Sequence, residues 1–166
     1  MRPPAEYWIK KLQLSTHKEG GSFREIYRSS SKIAQSQLPA FKGERPYSTS
    51  IYFLLTQGQF SAFHRIASDE IWHFYFGDEL LIYEIDITGE LFQHRLGPDP
   101  KKEPYFQCVI KAGNWFAARP AQNSKYSLVG CTVAPGFDFE DLELADKEKL
   151  TKQFPQHTKL IQELTR

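Results

Sequence analysis

The sequence has little net charge, little sulfur and no long apolar run. Its 21 Lys and Arg stand against 20 Asp and Glu, for a net charge of +1. Gripping nucleic acid through its phosphates needs a concentrated positive face, so the balance argues against nucleic acid as a partner. No window is apolar over the length that spans a bilayer, and no membrane association is expected. The opening residues, MRPPAEYWIKK, lack the apolar centre of a secretion signal, which points to the cytoplasm. Cys108 and Cys131 sit in apolar, strand-like surroundings, where a buried free thiol is expected rather than a disulfide or a nucleophile. Alanine-rich helical stretches are scarce as well.

Aromatic side chains are plentiful, with 13 Phe, 8 Tyr and 3 Trp, and they suit a pleated, half-buried surface. The 166 residues fit one domain, 1–166, able to bury about two-thirds of its unfolded surface. Residues 4–13 form a short helix with Pro4 in its first turn and Trp8 and Leu12 on one face. A turn at Gly20 and Gly21 leads into the strand SFREIYRSS. In it Arg24 and Arg28 are ligand-binding candidates, although a strand edge or solvated face accounts for them as well. Residues 32–45 read as a loop. Strands follow at YSTSIYFLLT, FSAFHRI, EIWHFYF, ELLIYEIDI, ELFQHRL, YFQCVI, GNWFAAR and YSLVGCTVA. Thr88 and Gly89 form a hairpin turn, and a loop spans Pro98–Pro104. FEDLELADKEKLTKQF and PQHTKLIQELTR are predicted helical, with Leu160, Ile161 and Leu164 facing inwards. Many short strands with no helices between them make the class mainly β: a closed antiparallel barrel or jelly roll with a short N-terminal helix and C-terminal helices.

The stretch Gly58–Gly77, GQFSAFHRIASDEIWHFYFG, carries the one pair whose spacing suggests a site. Strand alternation puts Phe60, Ala62, His64 and Ile66 on one face. It puts Glu70, Trp72, Phe74 and Phe76 on one face of the next strand, with His73 opposite. If His64 and Glu70 point into the barrel, they form a polar island in an aromatic lining, the usual form of a small-molecule site. A glutamate there needs a partner, for which His64 is the candidate. Three readings remain open: a buried structural pair, a metal site, and a metal-free pocket for a metabolite.

Gly58, His64, Ile66, Glu70 and Gly77 together resemble the first signature motif of the cupin superfamily, which has a second histidine where Ile66 stands. Against the second cupin motif, Gly113 matches, while Lys111 and Phe116 replace its proline and metal-binding histidine. KEGGSFREIYRS, DEIWHFYFGD and YSLVGCTVAPGFDFEDLEL resemble an uncharacterised cupin family over nearly the whole chain. The resemblance implies a cupin-type double-stranded β-helix, a homodimer, and a shape related to the dTDP-sugar 3,5-epimerases. Two apolar replacements leave too few ligands for a metal, so neither a metal nor another cofactor is expected. By analogy with those epimerases, His64 is the base, oriented by Glu70, and Tyr52 or Tyr126 the acid, acting on a small carbohydrate-like metabolite. Trp72, Phe74, Phe116 and Trp115 are stacking candidates or packing. Lys111, Arg119 and Lys125 are placed near the barrel mouth, where an anionic group or plain solvation accounts for them. Phe23, Tyr27, His73 and Tyr75 make the candidate dimer face. His17, His94 and His157 carry no partner pattern. A non-enzymatic binding or sensing protein and a metal-dependent cupin using His64 and Glu70 are the alternatives.

Overall fold

A computed structural model describes residues 2–102 and 105–166. Residues 103 and 104, the end of the predicted Pro98–Pro104 loop, lie outside the described residues. After helix α1 (Ala5–Lys11) come strands β1 (Ser15–Thr16), β2 (Ser22–Arg28), β3 (Lys32–Ile33), β4 (Arg45–Pro46), β5 (Thr49–Thr56), β6 (Ser61–Arg65) and β7 (Asp69–Gly77). The chain continues through β8 (Leu80–Ile85), β9 (Leu91–Leu96), β10 (Gln107–Ile110), β11 (Trp115–Pro120), β12 (Tyr126–Ala134) and β13 (Glu143–Leu144). Helices α2 (Lys147–Gln153) and α3 (Thr158–Glu163) close it. Two antiparallel sheets face each other, ordered β1-β2-β5-β12-β7-β10 and β13-β6-β11-β8-β9, as in a jelly roll.

Three apolar clusters account for this arrangement. Phe53, Leu55, Trp72, Ile82, Ile110 and Phe116 fill the space between the sheets. Phe63, Tyr83, Ile85 and Trp115 cover the outer face of the second sheet against Leu150, Phe154, Ile161 and Leu164 of the C-terminal helices. The predicted inward stripe holds, with Ile161 and Leu164 buried and Leu160 packed alongside. On the outside of the first sheet, Leu54, Tyr126 and Leu128 receive α1 through Ala5, Trp8, Ile9 and Leu12. A helix of seven residues is unstable by itself, so docking holds it. Tyr126 Oη donates to the Pro3 carbonyl at 2.6 Å and accepts from Trp8 Nε1 at 3.1 Å.

Three expectations are corrected. The span FEDLELADKEKLTKQF is not one helix: a 3-10 turn at Phe139–Asp141 precedes strand β13, and α2 starts only at Lys147. Asp146 caps α2 by accepting from Lys149 N, while Glu143 and Leu144 pair with Arg65 and His64. Residues 32–45 contribute a strand pair, β3 with β4. Finally, Phe76 does not share the inner face with Glu70, Trp72 and Phe74. The β7–β12 register shifts between Phe74 and Phe76, and Phe76 packs on Trp8 outside the barrel at 5.3 Å.

Candidate active site

Between the sheets lies a cavity of about 70 Å³, several times the volume one water needs. Its polar lining is His17, Glu19, His64 and Glu70, with Cys131 beside them and Glu25 and Arg28 also among the lining residues. Phe23, Phe53, Trp72, Phe137 and Phe139 supply aromatic surface.

His64 is fixed from two sides. Its Nδ1 donates to the Ala62 carbonyl at 2.7 Å; because a carbonyl can only accept, that nitrogen carries a proton. The Phe116 ring centroid lies 4.0 Å from that of His64, so Phe116 packs against the imidazole. The free nitrogen, Nε2, faces Glu19 Oε2 at 3.3 Å, and Ser61 Oγ donates to the same oxygen at 2.9 Å. Nε2 thus stands directly against the Glu19 carboxyl. The partner of His64 is therefore Glu19 and not Glu70, which corrects the sequence-based pairing.

Glu19 reaches this position through the turn His17–Gly21. His17 N donates to the Gly21 carbonyl at 3.0 Å, and Ala62 N donates to the Glu19 carbonyl at 2.9 Å, pinning the turn to β6. Gly20 has φ +115, and a Cβ there would lie 2.2 Å from the Phe60 carbonyl oxygen. Only glycine fits. His17, unassigned from sequence, also lines the cavity. Its Nδ1 accepts the Glu19 backbone N–H at 3.3 Å, which leaves the ring proton of the neutral form on Nε2. Burial lowers its pKa, with the Glu19 charge opposing, so the neutral form prevails at pH 7.

Glu70 is 7% exposed and stands apart from that pair. Burial, and then the charge of Glu19, push its pKa up to about 8, while a hydrogen bond with the Cys131 thiol pulls weakly the other way. Glu70 thus holds a proton at pH 7. The Trp72 indole nitrogen lies near its carboxyl but outside hydrogen-bonding geometry, and it has no partner. Burial, with Glu70 adding to it, keeps the Cys131 thiol protonated, and burial pushes Cys108 up to about 12. Both cysteines are free thiols.

Of the other predicted site residues, Trp72 lines the cavity; Phe74 and Phe116 belong to the packed core around it. Tyr52 and Tyr126 do not line it. Tyr52 points to the outer face of the first sheet, edge-on to Tyr75 at 5.8 Å, and Tyr126 is occupied by Pro3 and Trp8. Neither reaches His64, because in β5 it is Ile51 and Phe53 that face inwards. Arg119 lies over Tyr83 at 5.3 Å and pairs with Glu163 at 3.0 Å, on the helix-covered side of the second sheet. Lys111 pairs with Asp69 at 2.8 Å in solvent, and Lys125 donates its backbone N–H to Asp78; neither lines the cavity. Trp115 packs under the C-terminal helices. Of the candidate dimer face, His73 bonds Thr132 Oγ1 at 3.0 Å on the outer side, but Phe23 points into the cavity. Arg28 reaches the cavity while chelating Glu25. His94 pairs with Glu84 at 2.7 Å, and His157 contacts the Gly89 carbonyl.

The chain matches the profile of the Cupin superfamily (DUF985) over residues 6–145. It belongs to that cupin family. This cupin is 40% identical to protein SO0799 of Shewanella oneidensis, with a TM-score of 0.89 and 99% of each chain covered. A hypothetical protein from Leishmania major is 32% identical, with a TM-score of 0.89 over 98% of this chain and 99% of that one. The uncharacterized Saccharomyces cerevisiae protein YML079W is 31% identical over 84% of this chain and 75% of its own length. Oxalate decarboxylase of Bacillus subtilis, at 15% identity and a TM-score of 0.56, covers 90% of this chain and 36% of its own; that likeness concerns the fold alone.

Many cupins hold a metal, and the donor set here does not fit one. Ile66 and Phe116 are buried apolar residues at two of the ligand positions. Both nitrogens of His64 are engaged, and His17 Nδ1 is turned to a backbone N–H. Among the described residues no group of three or more His, Cys, Asp or Glu converges as a metal site.

Proposed function

We propose that this cupin binds a small polar metabolite in its cavity and moves protons on it without a metal, as an isomerase or epimerase does. The supporting observation is the separation of two kinds of titratable group within one small apolar space. Glu70 keeps a proton at neutral pH, while His64 Nε2 and the Glu19 carboxyl face each other at 3.3 Å on the same cavity. A protonated carboxyl on one cavity with a histidine–carboxylate pair is the arrangement of an acid and a base. Glu19, backed by His64 Nε2, removes a proton from carbon beside a carbonyl. Glu70 in place of either tyrosine returns a proton to oxygen or carbon. The two then re-equilibrate across the cavity. About 70 Å³ suits a skeleton of about half a dozen heavy atoms, such as the open form of a small sugar or another hydroxy-carbonyl compound.

Deuterium wash-in tests this reading. The protein is incubated in D2O with 2-oxo acids, hydroxy ketones and small aldoses, and carbon-bound hydrogen is followed by NMR. Wild type is expected to exchange at least one compound, and His64→Ala and Glu19→Gln to lower the rate about 100-fold or more, in line with removal of a general base. An active, folded His64→Ala protein refutes the assignment. Ligand binding with no exchange leaves a binding or sensing protein instead.

We infer further that the protein is a homodimer joined through the outer face of the first sheet, where Ile26, Tyr27, Tyr75 and Val109 are exposed. Sedimentation as a monomer overturns this.

A further inference from the structure

The cavity is unbalanced in its hydrogen bonding. Trp72 is 1% exposed, it lines the cavity, and its Nε1–H, close to the Glu70 carboxyl, makes no well-formed hydrogen bond. A buried N–H without a partner costs about 1–3 kcal/mol, and native folds rarely carry that cost without a use for the group. His17 adds a second donor: with Nδ1 engaged by the Glu19 N–H, its ring proton sits on Nε2, which has no partner among the described residues. The protonated carboxyl of Glu70 is a third donor in the same wall.

Most acceptors on the other side are already used. Glu19 Oε2 takes Ser61 Oγ and faces His64, and the Ala62 carbonyl takes His64 Nδ1. Glu25 is chelated by Arg28, which leaves Glu19 Oε1, 3.7 Å from His17 Nδ1, as the carboxylate oxygen without a hydrogen bond. An oxygen with lone pairs would satisfy donors that nothing else satisfies.

We propose that the cavity selects ligands presenting carbonyl or carboxylate oxygens, with the Trp72 indole N–H and His17 Nε2–H as the donors that hold them. A 2-oxo acid, which sets two such oxygens side by side, is the type of ligand that uses both. This rests on the cavity being the ligand site, and it deepens that reading by naming the ligand's chemistry. It also assigns Trp72 a binding role by polarity, in place of stacking.

Thermal shift and two-dimensional NMR of the three indole N–H groups test it, with pyruvate, 2-oxobutyrate and hydroxyacetone as probes and isopropylamine and propylamine as matched cations. Trp72→Phe identifies the Trp72 resonance. The expected result is that the oxo compounds stabilise the protein, move the Trp72 indole proton downfield and slow its exchange, whereas the amines do neither. Trp72→Phe, which removes no existing hydrogen bond, is expected to fold and to bind the oxo compounds about tenfold more weakly, as loss of one hydrogen bond implies. Should Trp72→Phe fold poorly, the wild-type resonance alone decides. Amines binding as well as the oxo compounds, or oxo compounds binding while the indole resonance stays still, overturns the proposal but leaves the cavity as the ligand site. Failure of every probe to bind, together with absence of deuterium wash-in, removes both.

Discussion

Glu70, on β7 of the first sheet, and Glu84, on β8 of the second, are 7% and 5% exposed, and each has a free cysteine nearby. They behave in opposite ways. Burial alone would raise the pKa of Glu84, but hydrogen bonds from His94 Nε2 at 2.7 Å, Asn114 Nδ2 at 2.7 Å and Lys111 N at 3.1 Å outweigh it, so the group stays ionised. Around Glu70 the Cys131 thiol and the Trp72 indole pull the same way but are outweighed by burial and the Glu19 charge, so it carries a proton. Burial therefore does not decide what a carboxyl does; the donors aimed at it do. Where they are supplied, the glutamate is a structural tie, here between β8, β9 and the turn before β11. Where they are outweighed, it stays protonated.

The largest effect expected from breaking this contrast is at Glu70. A carboxyl whose pKa rises from its ordinary value to about 8 on folding binds a proton in the folded state that the unfolded chain has lost. Its contribution is fully present below pH 4.5 and falls away as pH rises through 8. Glu70→Gln removes that slope, so between pH 4.5 and pH 8.5 the variant should gain about 5 kcal/mol relative to wild type. Urea unfolding across pH measures it, and parallel profiles for the two proteins would contradict the assignment.

Next in size is Glu84→Ala. It strands the donors of Asn114 and Lys111 and should cost about 2–3 kcal/mol at pH 7. The sign with pH is reversed here: the lowered pKa gives stability that is present above the unfolded value and lost as pH falls below it. Glu84→Gln should flatten the acid limb of the curve that Glu70→Gln leaves untouched. The smallest effect belongs to Arg119. Its exposed pairing with Glu163 predicts a change within about 0.5 kcal/mol for Arg119→Ala, and wild-type ligand binding.

Sequence reasoning reached the fold because alternation, turn residues and the cupin spacing all pointed the same way. It also placed His64, Glu70 and Trp72 on the cavity, since each lies within one strand whose faces can be read from period two. Glu19 and His17 escaped it for a physical reason: they sit in a turn, where no periodicity announces a direction, some 45 residues before the strand they meet. The two glycines after Glu19 were the available signal, marking a backbone that must pass close to something. Tyr52 was lost to parity, a single residue separating it from the inward Phe53. Tyr126 went to a contact with the N-terminal helix that strand alternation cannot foresee.

The segment after β12 covers the cavity, contributing Phe137 and Phe139 to its wall. It is tied down at several points: the Phe137 N–H donates to Thr49 Oγ1 at 2.9 Å, Arg28 reaches the Phe137 carbonyl, and Lys18 lies over Phe139. Beyond them Arg45, 2% exposed, grips both oxygens of Asp141 at 2.7 and 2.8 Å. A cover fastened by a desolvated ion pair opens rarely. Ligand traffic should then be governed by how often the cover lifts rather than by how well the wall fits, giving slow arrival and long residence. Loosening Arg45 would hasten both without touching a single atom of the cavity.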